Sequence, residues 1–299
     1  MTGANPMSDL DQLEVAGYYD SLSAVSRYIR MYYGQTLLGN GTCFFVMSED
    51  GPVLVTNRHN FTGRHNITGQ PLHKQGGIPD HAIVTMHGPH EVHYHIDLVD
   101  HANPEAPAWT EHPTLGARAD IVALPVKEMM NIVGEINSVS LKDDWHRWDV
   151  GSELHVVGYP YGQIGGPFPI WSKGSIASEP DIDISGLPVF LIDCRSRPGQ
   201  SGSPVFAQFR AGAVVEHKGQ NWQARRPMNY FVGVYSGRLR PDSDLGLVWK
   251  RSCIEELVNH AVAHGTQHQM ELRRHRFSAT GHNEFSLENY VRNDVEEFE

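Results

Sequence analysis

The chain has 299 residues, with 24 Lys and Arg against 35 Asp and Glu, a formal net charge of −11 and a mean hydropathy of −0.39. No apolar run approaches the ~18 to 20 residues that span a bilayer, and the acidic balance supplies no field for a polyphosphate backbone. Neither a membrane nor a nucleic acid is therefore expected as a partner. Length permits one or two domains, and the 29 glycines and 18 prolines, spread along the chain, favour many turns and short strands.

Residues 1–20 read as a polar lead. From Ala24 to Val46 aromatic and β-branched residues are mixed, with a turn expected at GNGT, Gly39 to Thr42. The runs CFFVM and PVLVT flank Asp50-Gly51 and predict a hairpin that ends at TNRH. A second strand pair is expected between Pro79 and Val99. A Pro-rich loop over 101–118 leads into ADIVALPV, a short apolar strand, and the polar residues 127–150, with Trp145 and Trp148, connect two halves.

The second half holds six short apolar runs separated by Gly, Pro, Ser and Asp: ELHVVGYP, PIWSKGSIAS, LPVFLIDC, SPVFAQF, NYFVGVYSG and LGLVWK. Such spacing argues for a sandwich or a barrel. Only SCIEELVNHAVAH has helical periodicity, with Ile254, Leu257, Val258 and Val262 on one face. A polar tail, basic and then acidic, occupies 266–299. Cys43, Cys194 and Cys253 are dispersed and odd in number, and the N-terminus lacks a basic segment followed by an apolar one. Reduced, buried thiols and a cytoplasmic location are expected.

Three patterns carry chemistry. His59 ends a strand in TNRH, Asp120 opens ADIVALPV, and Ser201 lies between glycines in PGQSGSPVF. Each alone has a plain structural explanation, as a strand-end histidine, a turn-forming aspartate and a tight glycine turn. Together they are the residue types a nucleophilic hydrolase needs. A serine hydroxyl requires a positioned base to take its proton. An imidazole titrates near neutrality, and a buried carboxylate selects the tautomer that presents a free nitrogen. The backbone N–H groups of Gly199 and Ser201 would converge on a developing oxyanion if the PGQSG turn folds back sharply.

The order GTCFFV…LVTNRH, ADIVALPV, GQSGSPVF, GVYSGR resembles the trypsin-like serine peptidases of the chymotrypsin fold, over roughly residues 24–263. The likeness is to bacterial and intracellular domains without disulfides. It implies an all-β fold of two six-stranded antiparallel β-barrels with a C-terminal helix. The first barrel would span about 21–130, the second about 150–250 and the helix about 252–263, within a peptidase domain over 21–265. It further implies a serine endopeptidase with His59 as base, Asp120 as its orienting partner and Ser201 as nucleophile. Gly199 and Ser201 N–H groups would form the oxyanion hole, and Ser236 would pair with extended substrate backbone.

The chain departs from the pattern at several positions. Gln200 replaces the aspartate that receives a liberated N-terminus in secreted members, Ser203 replaces a glycine, and the disulfide beside the catalytic histidine cannot form. Arg195 and Arg238 fall where the family builds its primary pocket, which would suit an acidic side chain. A polypeptide substrate, a possible activating protein partner and no cofactor are expected. The region from Arg210 to Met228 and the tail are the segments through which such a partner would act. Six histidines lie between His81 and His101, and His93 with His95 share a strand face, a spacing open to Zn²⁺. Surface histidines and no metal site are the expectation. An esterase with the same triad, and a catalytically silent binding module on the same fold, remain the alternatives.

Overall fold

The computed structural model describes residues 19–86, 92–99, 106–134, 138–142, 148–163, 166–217, 220–240, 242–264 and 274–275. Most of the lead and of the tail, residues 87–91 and 100–101 of the His-rich segment and Trp145 lie outside them.

The first half comprises β1 (Ser26–Tyr33), β2 (Thr36–Ser48), β3 (Gly51–Thr56), α1 (Arg58–Thr62), β4 (His81–Met86), β5 (Val92–Asp97), β6 (Thr110–Glu111), β7 (Val122–Pro125) and α2 (Met130–Val133). The second comprises β8 (Glu153–Gly158), β9 (Ile170–Ile176), β10 (Val189–Cys194), β11 (Pro204–Phe209), β12 (Val214–His217), β13 (Gln220–Gln223), β14 (Met228–Arg238) and β15 (Leu245–Lys250). Helix α3 (Arg251–His264) and the short β16 (Arg274–His275) follow.

The six apolar runs of the second half become the six strands of a closed barrel, in the order β10-β15-β14-β11-β8-β9. The first half is an eight-stranded sheet, β16-β5-β4-β1-β2-β3-β7-β6, with antiparallel neighbours throughout. Its strands from β5 to β7 converge on one core that includes Ile29, Phe45, Leu54, Val84, Ile96 and Leu124. The sheet thus wraps around its own interior, although its end strands are not paired with each other. Arg274 and His275, in the tail, pair with Tyr94 and His93 and form one of those ends.

Another apolar cluster joins the halves. Phe44, Val46, Val53 and Val55 from the first half meet Val157, Phe206, Phe231 and Trp249 from the second, and α3 inserts Ile254, Leu257 and Val258 among them. Strands β2 and β3 therefore bury both faces, with Cys43, Phe45 and Leu54 in one cluster and their neighbours in another. This is why CFFVM and PVLVT read as continuous apolar runs and do not alternate.

The expected hairpin forms, with its turn one residue earlier than read: Ser48 lies opposite Gly51, so Glu49 and Asp50 make the turn and Gly51 opens β3. The turn expected at Gly39 to Thr42 does not. Strand β2 runs through it, and the chain reverses at Gly34, where φ is 54°. Gly41 serves close packing, since a Cβ there would lie 2.7 Å from Asn60 Nδ2. Glycine within a strand marks such an approach as readily as a turn. Among the described residues no helix is long and apolar enough to cross a membrane.

Candidate active site

His59 is delivered by the short helix α1, which starts where β3 ends. Asn57, buried before its first turn, donates from Nδ2 to the Asp120 carbonyl oxygen at 2.6 Å. Gly63, at φ 62°, closes the helix by donating its N–H to His59 O at 3.0 Å. Arg58 pairs with Glu111 at 2.8 Å. Asn57 and Arg58, just before the histidine, thus tie its segment to the β7 lead-in and to β6.

Asp120 precedes β7 and is 6% exposed. Its Oδ1 accepts the His59 backbone N–H at 2.9 Å, and its Oδ2 accepts His59 Nδ1–H at 2.7 Å and the Ser236 hydroxyl. An acceptor-only carboxylate facing Nδ1 places the imidazole hydrogen there and leaves Nε2 as the basic nitrogen. Ser236 reaches Asp120 from a β-bulge. The pairing of β14 with β15 steps from Tyr235–Val248 to Gly237–Leu247, leaving Ser236 as the extra residue. A bulge beside a site re-aims a side chain in this way.

Ser201 lies between Gly199, at φ 94°, and Gly202, at φ 86°. A Cβ at Gly199 would collide with the Tyr159 carbonyl oxygen, and one at Gly202 with that of Thr42, so both positions demand glycine twice over. The loop is tied on every side. Gln200, fully buried, accepts the Arg197 N–H at 2.7 Å and donates to Ser172 Oγ at 2.8 Å, occupying the place of the family's aspartate with hydrogen bonds internal to the barrel. Thr42 N–H donates to Ser201 O at 2.9 Å, and its hydroxyl donates to Gly199 O at 2.9 Å. Asn60 Nδ2 reaches Ser201 O at 3.3 Å from the histidine helix.

The loop's other N–H groups are engaged. Gln200 donates to Arg197 O, Gly202 to Tyr235 O and Ser203 to Gln200 O. Among the described residues, Gly199 and Ser201 N–H donate to no protein acceptor. Ser201 Oγ donates to Ser236 O at 3.5 Å, and among the described residues no hydrogen bond joins it to His59. Such bonds are often long or unmade in the absence of substrate.

The fold thus brings together His59, Asp120, Ser201, Gly199 and Ser236. Arg195 and Arg238 are placed at exposed positions. Between them in sequence, Tyr235 and Ser196 are buried and hydrogen-bonded to each other, and burial pushes the Tyr235 phenol up to about 12. The chain also contains residues whose importance sequence reasoning missed: Thr42, Asn57 and Asn60. Asn57 and Asn60 sit in the polar run TNRHN and Thr42 in GNGT, so nothing in their sequence neighbourhood set them apart.

All three cysteines are free and buried. Burial raises the thiols, Cys194 to about 11 and Cys253 to about 12, with Cys43 higher still, so none is a thiolate nucleophile. His93 and His95 lie on the outer face of β5, where His95 pairs with Asp97 at 3.0 Å and stacks on His81 at 4.1 Å. Among the described residues no group of three or more His, Cys, Asp or Glu is arranged to hold a metal. His87, His90 and His101 lie outside the described residues.

Two β halves joined by an apolar seam, with a His–Asp pair from one facing a glycine-flanked serine from the other, have the architecture of the trypsin-like class. Residues 41–215, more than half of the chain, match the trypsin-like peptidase domain, and the chain belongs to that family. No curated protein matches it in sequence. A serine endoprotease from Yersinia pestis aligns over 84% of this chain and 69% of its own, with TM-score 0.49 and 11% identity. The active form of the Rv3671c protease from M. tuberculosis aligns over 79% and 80%, with TM-score 0.44 and 19% identity.

Proposed function

We propose that the chain is a serine endopeptidase that works through an acyl-enzyme on Ser201, with residues 21–265 as the catalytic unit. Ser201 Oγ attacks the scissile carbonyl carbon while its proton passes to His59 Nε2. The oxyanion is held by the N–H groups of Gly199 and Ser201. The C–N bond then breaks as His59 returns the proton to the leaving amine, and water repeats the sequence to release the acid and restore Ser201. Base assistance is worth ~10² to 10⁴ in rate, and each oxyanion donor ~10² to 10³.

The observation that carries this reading is the Asp120 carboxylate, which accepts the backbone N–H and Nδ1–H of His59 together at 2.9 and 2.7 Å. Fixing one ring through both its main chain and its side chain orients Nε2, and a purely structural aspartate has no need of that. One observation favours the silent binding module: the hydroxyl of Ser201 is turned to Ser236 O. Digestion of a peptide mixture by wild type and Ser201→Ala separates the two. Cleavage by wild type alone supports the peptidase; equal inertness of both folded proteins removes it.

A further inference from the structure

Beside Ser201 lies a cavity of about 340 Å³, within the size range of built ligand pockets. His59, Asn60, Gly199 and Ser201 form one edge of it, and Ser236, Arg195 and Arg238 take no part in its lining. It therefore occupies the side of the nucleophile opposite β14. If the acyl half of a substrate lies along β14, the half that departs with the amine, and takes its proton from His59, lies over this cavity.

The walls away from the reactive groups are mainly apolar and uncharged. Met31 and Leu38 come from β1 and β2, Leu72 and Pro79 from the segment after α1, and Pro198 from the serine loop; Gly39, Asn40, Gly63 and His73 complete them, and the lining contains no Asp, Glu, Lys or Arg. The segment that carries Leu72 is built to stand there. Arg64 donates to the carbonyl oxygens of Gly63, Gly76 and Gly77 at 3.1, 2.8 and 3.2 Å, and Leu72 N–H donates to Gly63 O at 2.9 Å. A Cβ at Gly77 would press on the Leu38 side chain at 2.8 Å, so glycine there leaves Leu38 its place in the wall. Leu72 is 51% exposed, an apolar side chain held out of the core beside His59.

We infer that this cavity receives the side chain of the residue immediately after the scissile bond and selects a large apolar one, such as Leu, Met or Phe. The inference rests on the peptidase reading above. A charged side chain entering it would lose water and find no partner charge, whereas each methylene buried in such a pocket discriminates ~10-fold or more.

The test is cleavage-site mapping on a proteome-derived peptide library with wild type and Leu72→Asp, alongside labelling of wild type by a fluorophosphonate, which carries no residue into the cavity. Expected are cuts before Leu, Met or Phe at least ~10-fold over cuts before Asp or Lys. In Leu72→Asp that ratio should collapse, while labelling of the variant by the same fluorophosphonate shows that it folds with its serine in place. Wild type that is labelled and cuts without preference on this side overturns the inference alone, as does an unchanged ratio in Leu72→Asp. Wild type that is neither labelled nor cutting overturns the peptidase reading and this inference with it.

Discussion

At the Asp120 end of the site the reactive groups themselves are hydrogen-bonded: the carboxylate accepts three donors, two from His59 and one from Ser236. At the Ser201 end the backbone is tied as firmly, through Thr42, Asn60 and Gln200, but the groups that meet a substrate are uncommitted. The hydroxyl has one long bond to Ser236 O, and the N–H groups of Gly199 and Ser201 have no acceptor among the described residues. The difference is the one the proposed mechanism asks for. A base must be oriented before substrate arrives, whereas an oxyanion hole and a nucleophile find their partners on the substrate itself.

The strongest way to break this contrast is at the preformed end. Asp120→Asn keeps the shape but turns the ring to the wrong tautomer, and should lower kcat about 10⁴-fold with little change in KM. A loss below tenfold would mean that the imidazole is oriented by something other than the carboxylate. At the uncommitted end, Gly199→Ala forces a Cβ against the Tyr159 carbonyl at φ 94° and should cost about 10² to 10³ in kcat through the displaced N–H. Circular dichroism should show the barrel intact.

Ser236→Ala sharpens the contrast, because it removes one of three donors to a carboxylate whose bonds to His59 remain. A fall of about 10-fold in kcat/KM is expected, in line with a hydrogen bond to a charged group. A fall as large as that of Asp120→Asn would transfer the orienting role to the bulge.

The smallest effect concerns the seam. Burial holds His112 below the ordinary imidazole value, against the pull of Glu256 on α3, 3.6 Å away. The unfolded chain thus takes up this proton more readily than the folded one. The stability it contributes is full above about pH 6.5 and is lost as pH falls through that region. Melting curves should show Tm dropping on acidification below about pH 6.5, with a shallower drop in His112→Gln.

The second half was legible as strands because each of its six runs is short, apolar and bounded by turn residues. Closure into a barrel was not, since pairing of β9 with β10 and β15 with β10 joins segments that carry no local mark of each other. The first half misled at GNGT, where Gly41 answers to the approach of α1 and the strand runs on unbroken. In the site, His59, Asp120 and Ser201 stood out through their residue types at strand edges. Ser236 was readable only by resemblance, because its hydroxyl reaches Asp120 through a bulge, which is a property of pairing. Asn57, Asn60 and Thr42 act across 63, 141 and 157 residues of chain, and a tertiary hydrogen bond leaves no periodicity to read.

Intact-mass analysis after exposure to a fluorophosphonate, followed by peptide mapping, tests the central claim most directly. Wild type should carry one adduct, on Ser201, that is absent from Ser201→Ala. An adduct on another residue, or none on folded wild type, would contradict Ser201 as the nucleophile.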